Sequence, residues 1–297
     1  MSRLGTGASA TVPDGSGWAY FPTEQPGTLG IATLWAHANQ CAPVNLIVDE
    51  GGQSLAFAAG GFDQPPQIWR AKERTLVAVS AEPPTIEEPP NCPQMVEELA
   101  ASGLDIVADH GVWLGEINGL EVARVGIREG ECSIDIGVGA YDQFASATLA
   151  PDRDVTVGLE HVASMVRPHR SAASEPHPIG RLVRSRWLRA QIVSSPALVG
   201  LETAEAVPLL IARPGLNEAQ PAAALGRRTG QSGPVLVVCA VGVDPALPET
   251  AAGLSKYHSV DEVVIVMPSR DSHPRVIEAL DSLAVPTSVV HLEGEWS

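Results

Sequence analysis

The chain has 297 residues, 44% of them hydrophobic and 18% charged, a globular composition that fits one large or two modest domains and excludes a disordered or fibrous protein. Aromatic residues make up only 4%, so Val, Ile, Leu and Ala must fill the core. A formal net charge of -16 repels polyanions and argues against nucleic acid and anionic lipid as generic partners.

Residues 1–25 are rich in Gly, Ser, Thr and Pro and read as a flexible N-terminal arm. An N-terminal α/β segment, 26–80, follows. It holds a helix over 30–40, a short buried strand at 45–48, a helix over 53–59, and strands at 68–70 and 75–79 around a charged turn. Five prolines in the segment 81–93 forbid helix and central strand, which makes it a linker. The next segment, 94–160, opens with an amphipathic helix over 94–102 that carries Met95, Val96 and Leu99 on one face, with Gly103 placed to cap it. From 104 to 138 the apolar period becomes two. Asn118-Gly119 lies between two apolar runs, and both residues tolerate positive φ, so a hairpin and a three-stranded antiparallel meander are expected. Residues 161–230 form a basic helical segment and connection, with a helix over 180–192. The last segment, 231–297, alternates strand 235–241, helix 246–257, strand 262–267, helix 274–284 and strand 287–291.

Continuous Val and Ile strands joined by helices belong in a parallel sheet covered on both faces. The expected fold class is therefore α/β: a C-terminal parallel βαβαβ unit, a central three-stranded antiparallel meander and an N-terminal α/β segment whose strand 45–48 is free to join the same sheet. No internal repeat stands out. Cys41, Cys92, Cys132 and Cys239 are too few and too scattered for a disulfide framework or a zinc site, which predicts free thiols and a reducing compartment. No apolar run has signal-peptide or membrane-spanning length, so a cytoplasmic location and no membrane partner are expected.

Neither G-x-G-x-x-G nor G-x-x-x-x-G-K-[ST] occurs at a strand-to-helix junction, and no cofactor is expected. Three sets of residues carry other chemistry. Asp105, Glu116, Glu121 and Asp135 fall in the meander, and carboxylates on adjacent strands hold Mg²⁺ or Mn²⁺ through oxygen. The order helix, three strands, helix imitates restriction-endonuclease-like cores, although neither Glu116-Ile117-Asn118 nor Glu121-Val122-Ala123 ends in that family's lysine. Alternating acids also mark a solvated sheet face.

The charge is uneven: residues 161–230 hold 9 Lys+Arg against 4 Asp+Glu, whereas the flanking segments are acidic. Within that basic segment Arg181, Arg184, Arg186 and Arg189 sit on one helix near Trp187, an anion site or an internal ion-pair partner. The third set follows strands. Asp49 and Glu50, Asp244, and Ser269, Arg270, Asp271 and His273 lie where ligands bind in open α/β sheets, and they are also residues that cap turns and helices. These features predict a non-catalytic or weakly catalytic binding protein for a small polar or anionic ligand or a protein partner. The alternative is a divalent-metal-dependent phosphodiesterase or nuclease using the meander acids.

Overall fold

Alternation in Gly17-Trp18-Ala19-Tyr20-Phe21 turns Ala19 and Phe21 into the core and leaves Trp18 and Tyr20 half-buried on the other face. This strand is the hub of a six-stranded sheet in the computed structural model, which describes residues 2–139, 142–143, 154–171, 174–212, 215–217 and 220–296. The sheet runs β1 (Ser2–Leu4), β2 (Gly7–Thr11), β3 (Gly17–Phe21), β4 (Val44–Val48), β5 (Gln67–Lys72) and β6 (Thr75–Ala78). Strands β3, β4 and β5 are parallel, and the other neighbours are antiparallel. Helix α1 (Thr28–Ala38) links β3 to β4, and α2 (Gln53–Ala59) links β4 to β5. Residues 2–21 are thus strands and not a loose arm; Gly and Ser content hides a two-residue period that buries Ser9, Ala19 and Phe21.

Residues 81–92 carry no regular element and lead into α3 (Pro93–Ala101). The antiparallel sheet that follows has four strands, one more than expected: β7 (Asp105–Asp109), β8 (Val112–Ile117), β9 (Leu120–Arg128) and β10 (Glu131–Ile136). The extra strand turns at His110-Gly111, where φ is +37° and +80°, a second primed-type hairpin that the stronger Asn118-Gly119 signal overshadowed. At Asn118-Gly119, with φ of +46° and +77°, β8 turns directly into β9. Gly119 is also pressed against the backbone of Arg186, where a Cβ would lie 2.3 Å from the carbonyl carbon. Helices α4 (Val155–Val166) and α5 (Arg184–Ser194) complete the central part, whose residues 144–153 lie outside the described ones.

Cys92 and Cys132 form a disulfide between the start of α3 and β10, with Cα atoms 5.9 Å apart. The expectation of four free thiols is corrected accordingly. A separation of 40 residues disguises two side chains that the meander brings together in its core. Cys239 is free and wholly buried, and burial pushes its thiol up to about 12.

A five-stranded sheet closes the chain: β11 (Thr203–Val207), β12 (Ala222–Arg227), β13 (Val235–Cys239), β14 (Glu262–Met267) and β15 (Thr287–His291). Its pairing directions repeat those of β1 to β5 one for one, antiparallel twice and then parallel twice. Helices α6 (Leu247–Tyr257) and α7 (Pro274–Leu280) occupy the places of α1 and α2. Strand β4 therefore belongs to a separate sheet from β13–β15. Helix α1 packs on α7 and α2 on α6, a reciprocal contact between equivalent elements, so the two halves face one another about an approximate two-fold axis. Gly27 and Ala246, which follow Pro26 and Pro245 in corresponding turns, touch at that axis. One core serves both halves, with Leu29, Leu46 and Leu55 from one and Leu236, Leu254 and Ile265 from the other. The opposite face of the C-terminal sheet is covered by α5 through Trp187, Leu188 and Ile192.

Candidate functional site

At the carboxyl ends of the parallel strands, helix N-termini present backbone donors that have no partner within their own helix. In this chain the donors are met by the protein's own side chains. Asp271 Oδ2 accepts from Gly242 N at 2.7 Å, which brings the loops after β13 and β14 together, and Asp244 Oδ1 accepts from Ala246 N at 2.8 Å. Glu293 Oε1 accepts from Ser269 N at 2.7 Å, and His273 Nδ1 accepts from Arg275 N at 3.3 Å. Arg270 lies 3.8 Å from Asp271 and stays largely in solvent. Asp49 accepts from the Tyr20 hydroxyl at 2.8 Å beside exposed Glu50, on the other sheet, so these two do not join the Asp244–Asp271 group.

Two carboxylates that sequence reasoning passed over fill the equivalent positions across the two-fold axis. Glu249, in the first turn of α6, accepts from Gly27 N at 3.3 Å, Leu29 N at 2.8 Å and Gly30 N at 3.1 Å, and so caps α1 of the other half. Burial pushes its carboxyl up to about 7 against those three donors, with the charge of Glu24 adding to the rise. Glu24 in turn accepts from Gly52 N at 2.9 Å and from the Ser54 hydroxyl, capping α2. A cavity of about 40 Å³ lies beside this pair, room for little more than water.

The four arginines do not share one helix as expected: Arg184, Arg186 and Arg189 lie on α5, whereas Arg181 ends a separate 3-10 turn, Pro178–Arg181, cut off by extended Leu182 and by Val183 at φ +37°. Arg189 ion-pairs with buried Glu116, and Arg186 lies 3.8 Å from the same carboxylate and 3.6 Å from Asp109. These two serve the internal ion-pair role. Close by, Arg170 is wholly buried, donating from Nη1 to Leu182 O at 2.7 Å and from Nη2 to Asn118 O at 2.6 Å, with its guanidinium 4.4 Å over the Trp187 ring. Burial lowers its guanidinium to about 10.

Arg184 and Arg181 face the other way. Arg184 donates to Trp296 O at 3.5 Å, and neither arginine has a carboxylate partner among the described residues. Both line an open pocket of about 500 Å³ together with Glu175, His177, Trp187 and Glu295. His177 accepts from Ile179 N at Nδ1, which leaves the proton on Nε2, and its ring stacks on His169 at 3.7 Å.

No protein-family model, curated protein or solved structure matches the chain. Glu116 stands opposite both Asp105 and Glu121 across the ladder, and Asp135 stands opposite Arg124. Glu121 is gripped at two points by Arg124, at 2.9 and 3.2 Å, and also accepts from Gln143 at 2.7 Å. Asp135 pairs with Arg128 at 2.5 Å. Asp105 is raised by desolvation, partly offset by Arg189. The acids of this sheet thus already face guanidinium groups of the same chain.

Proposed function

We propose that this protein is a binding protein for a small anionic ligand, held in the open pocket at the start of the arginine helix. The observation that carries the reading is the division of the four arginines between α5 and the 3-10 turn before it. Arg186 and Arg189 are consumed by Glu116 and Asp109, whereas Arg181 and Arg184 turn into a pocket of ligand size beside the His177 Nε2 donor. Guanidinium groups recognise phosphate and carboxylate by paired hydrogen bonds. Self-capped strand-end loops support the same reading from the other side, since the backbone donors at Leu29, Gly52 and Gly242 are already taken by Glu249, Glu24 and Asp271. In this reading the parallel unit at 231–297 is the scaffold, and α5 lies across its sheet to present the pocket.

Calorimetric titration with inorganic phosphate tests it. Binding is expected, weakening as salt rises, and Arg181→Gln or Arg184→Gln should each weaken it about tenfold with an unchanged melting temperature. Titrations with no heat of binding, or variants that bind phosphate as tightly as the wild type, would sink the proposal.

A further inference from the structure

Strand β6 is an edge strand left open. All four of its residues, Thr75–Ala78, are exposed, and Leu76 and Val77 show 42% and 49% of their surface to solvent. Val79 N donates to Ile68 O at 2.9 Å, continuing the ladder with β5 beyond the named strand. In an antiparallel pair alternate residues spend their backbone groups on the neighbour. Residues 75, 77 and 79 therefore bond to β5, and Leu76, Ala78 and Ser80 turn their N–H and C=O groups outward, unmatched among the described residues. Proteins usually blunt such an edge with Lys, Pro or a bulge. Thr75-Leu76-Val77-Ala78 has none of these, and the first proline downstream is Pro83.

We infer that β6 is a dimerisation edge, on which the β6 strand of a second copy of this chain pairs antiparallel to join the two six-stranded sheets. The occupant follows from self-complementarity. With Ala78 opposite Ala78 of the second copy, Leu76 faces Ser80 and Arg74 faces Glu82, and the two-fold axis makes each match twice. Arg74 and Glu82 have no ion-pair partner within the described residues of their own chain. The pairing gives the outward backbone groups their partners, covers the two exposed aliphatic side chains and matches both free charges in one register.

Sedimentation of the full chain across a concentration series tests this. A concentration-dependent dimer is expected, strengthened by salt because each copy carries a net charge of -16. Leu76→Pro deletes only an outward donor and should abolish the dimer without changing the circular dichroism spectrum. Arg74→Glu or Glu82→Arg alone should weaken the dimer about tenfold, and the double exchange should restore it, a readout that does not depend on Leu76→Pro folding. A chain that remains monomeric at its solubility limit overturns the inference, as does a dimer indifferent to Leu76→Pro or to the charge exchange.

Discussion

Replacing Glu249 by glutamine isolates the proton that this carboxyl binds. An unfolded glutamate titrates near 4.5, and burial raises Glu249 to about 7 in the folded protein. The folded state therefore holds its proton to higher pH than the unfolded state does. Its favourable contribution is complete below about 4.5 and is lost as pH climbs from there to about 7. At about 1.4 kcal/mol per pH unit, that interval amounts to roughly 3 kcal/mol. Glutamine keeps the shape and one acceptor but never ionises, and one of the three donors at Gly27, Leu29 and Gly30 loses its partner, a cost of about 1 kcal/mol. Urea unfolding of both proteins from pH 5 to pH 8.5 measures the difference, in which all other titrating groups cancel. The variant should be nearly as stable as the wild type at pH 5 and the more stable by about 2 kcal/mol at pH 8.5. A difference that stays flat across the series would refute the assignment of a buried, proton-linked carboxyl.

Two further outcomes follow from the central part. Cys92→Ser should lower stability by about 3 kcal/mol, since the disulfide closes a loop of 40 residues, and a reducing agent should destabilise the wild type but leave the variant unaffected. Arg189→Met leaves Glu116 buried without its main partner and should cost about 4 kcal/mol by urea unfolding. Adding Glu116→Gln should recover much of that loss; a double variant as unstable as the single one would place the damage in packing instead of charge.

What was legible in the sequence was local. Asn118-Gly119 announces its turn because the two residues that need positive φ are adjacent, and Val263 to Val266 announce a buried strand because their burial is continuous along the chain. What escaped involves partners far apart. Glu249 reaches residues some 220 positions earlier, and Cys92 finds Cys132 only after three strands have folded back. Over 181–189 the sequence supplies four similar residues, and only the docking of β8 against α5 decides that Arg189 turns inward to Glu116 while Arg184 turns toward the pocket. The repeated half was equally hidden: corresponding turns share little beyond Pro26 and Pro245, because a strand or helix needs only its period and not a particular residue.

The third positions of α1 and α6 are Gly30 and Glu249, 219 residues apart and in contact across the approximate two-fold axis. A Cβ on Gly30 would fall 1.9 Å from Pro245 O, so that place holds no side chain, whereas its counterpart holds Glu249. Two identical subunits would carry the same residue at both places and would have to leave both empty or crowd both. With the halves joined in one polypeptide, each place varies alone. The lone Glu249 can reach into the gap its sister glycine leaves, and the seam between the halves gains a polarity that a symmetric assembly cannot have.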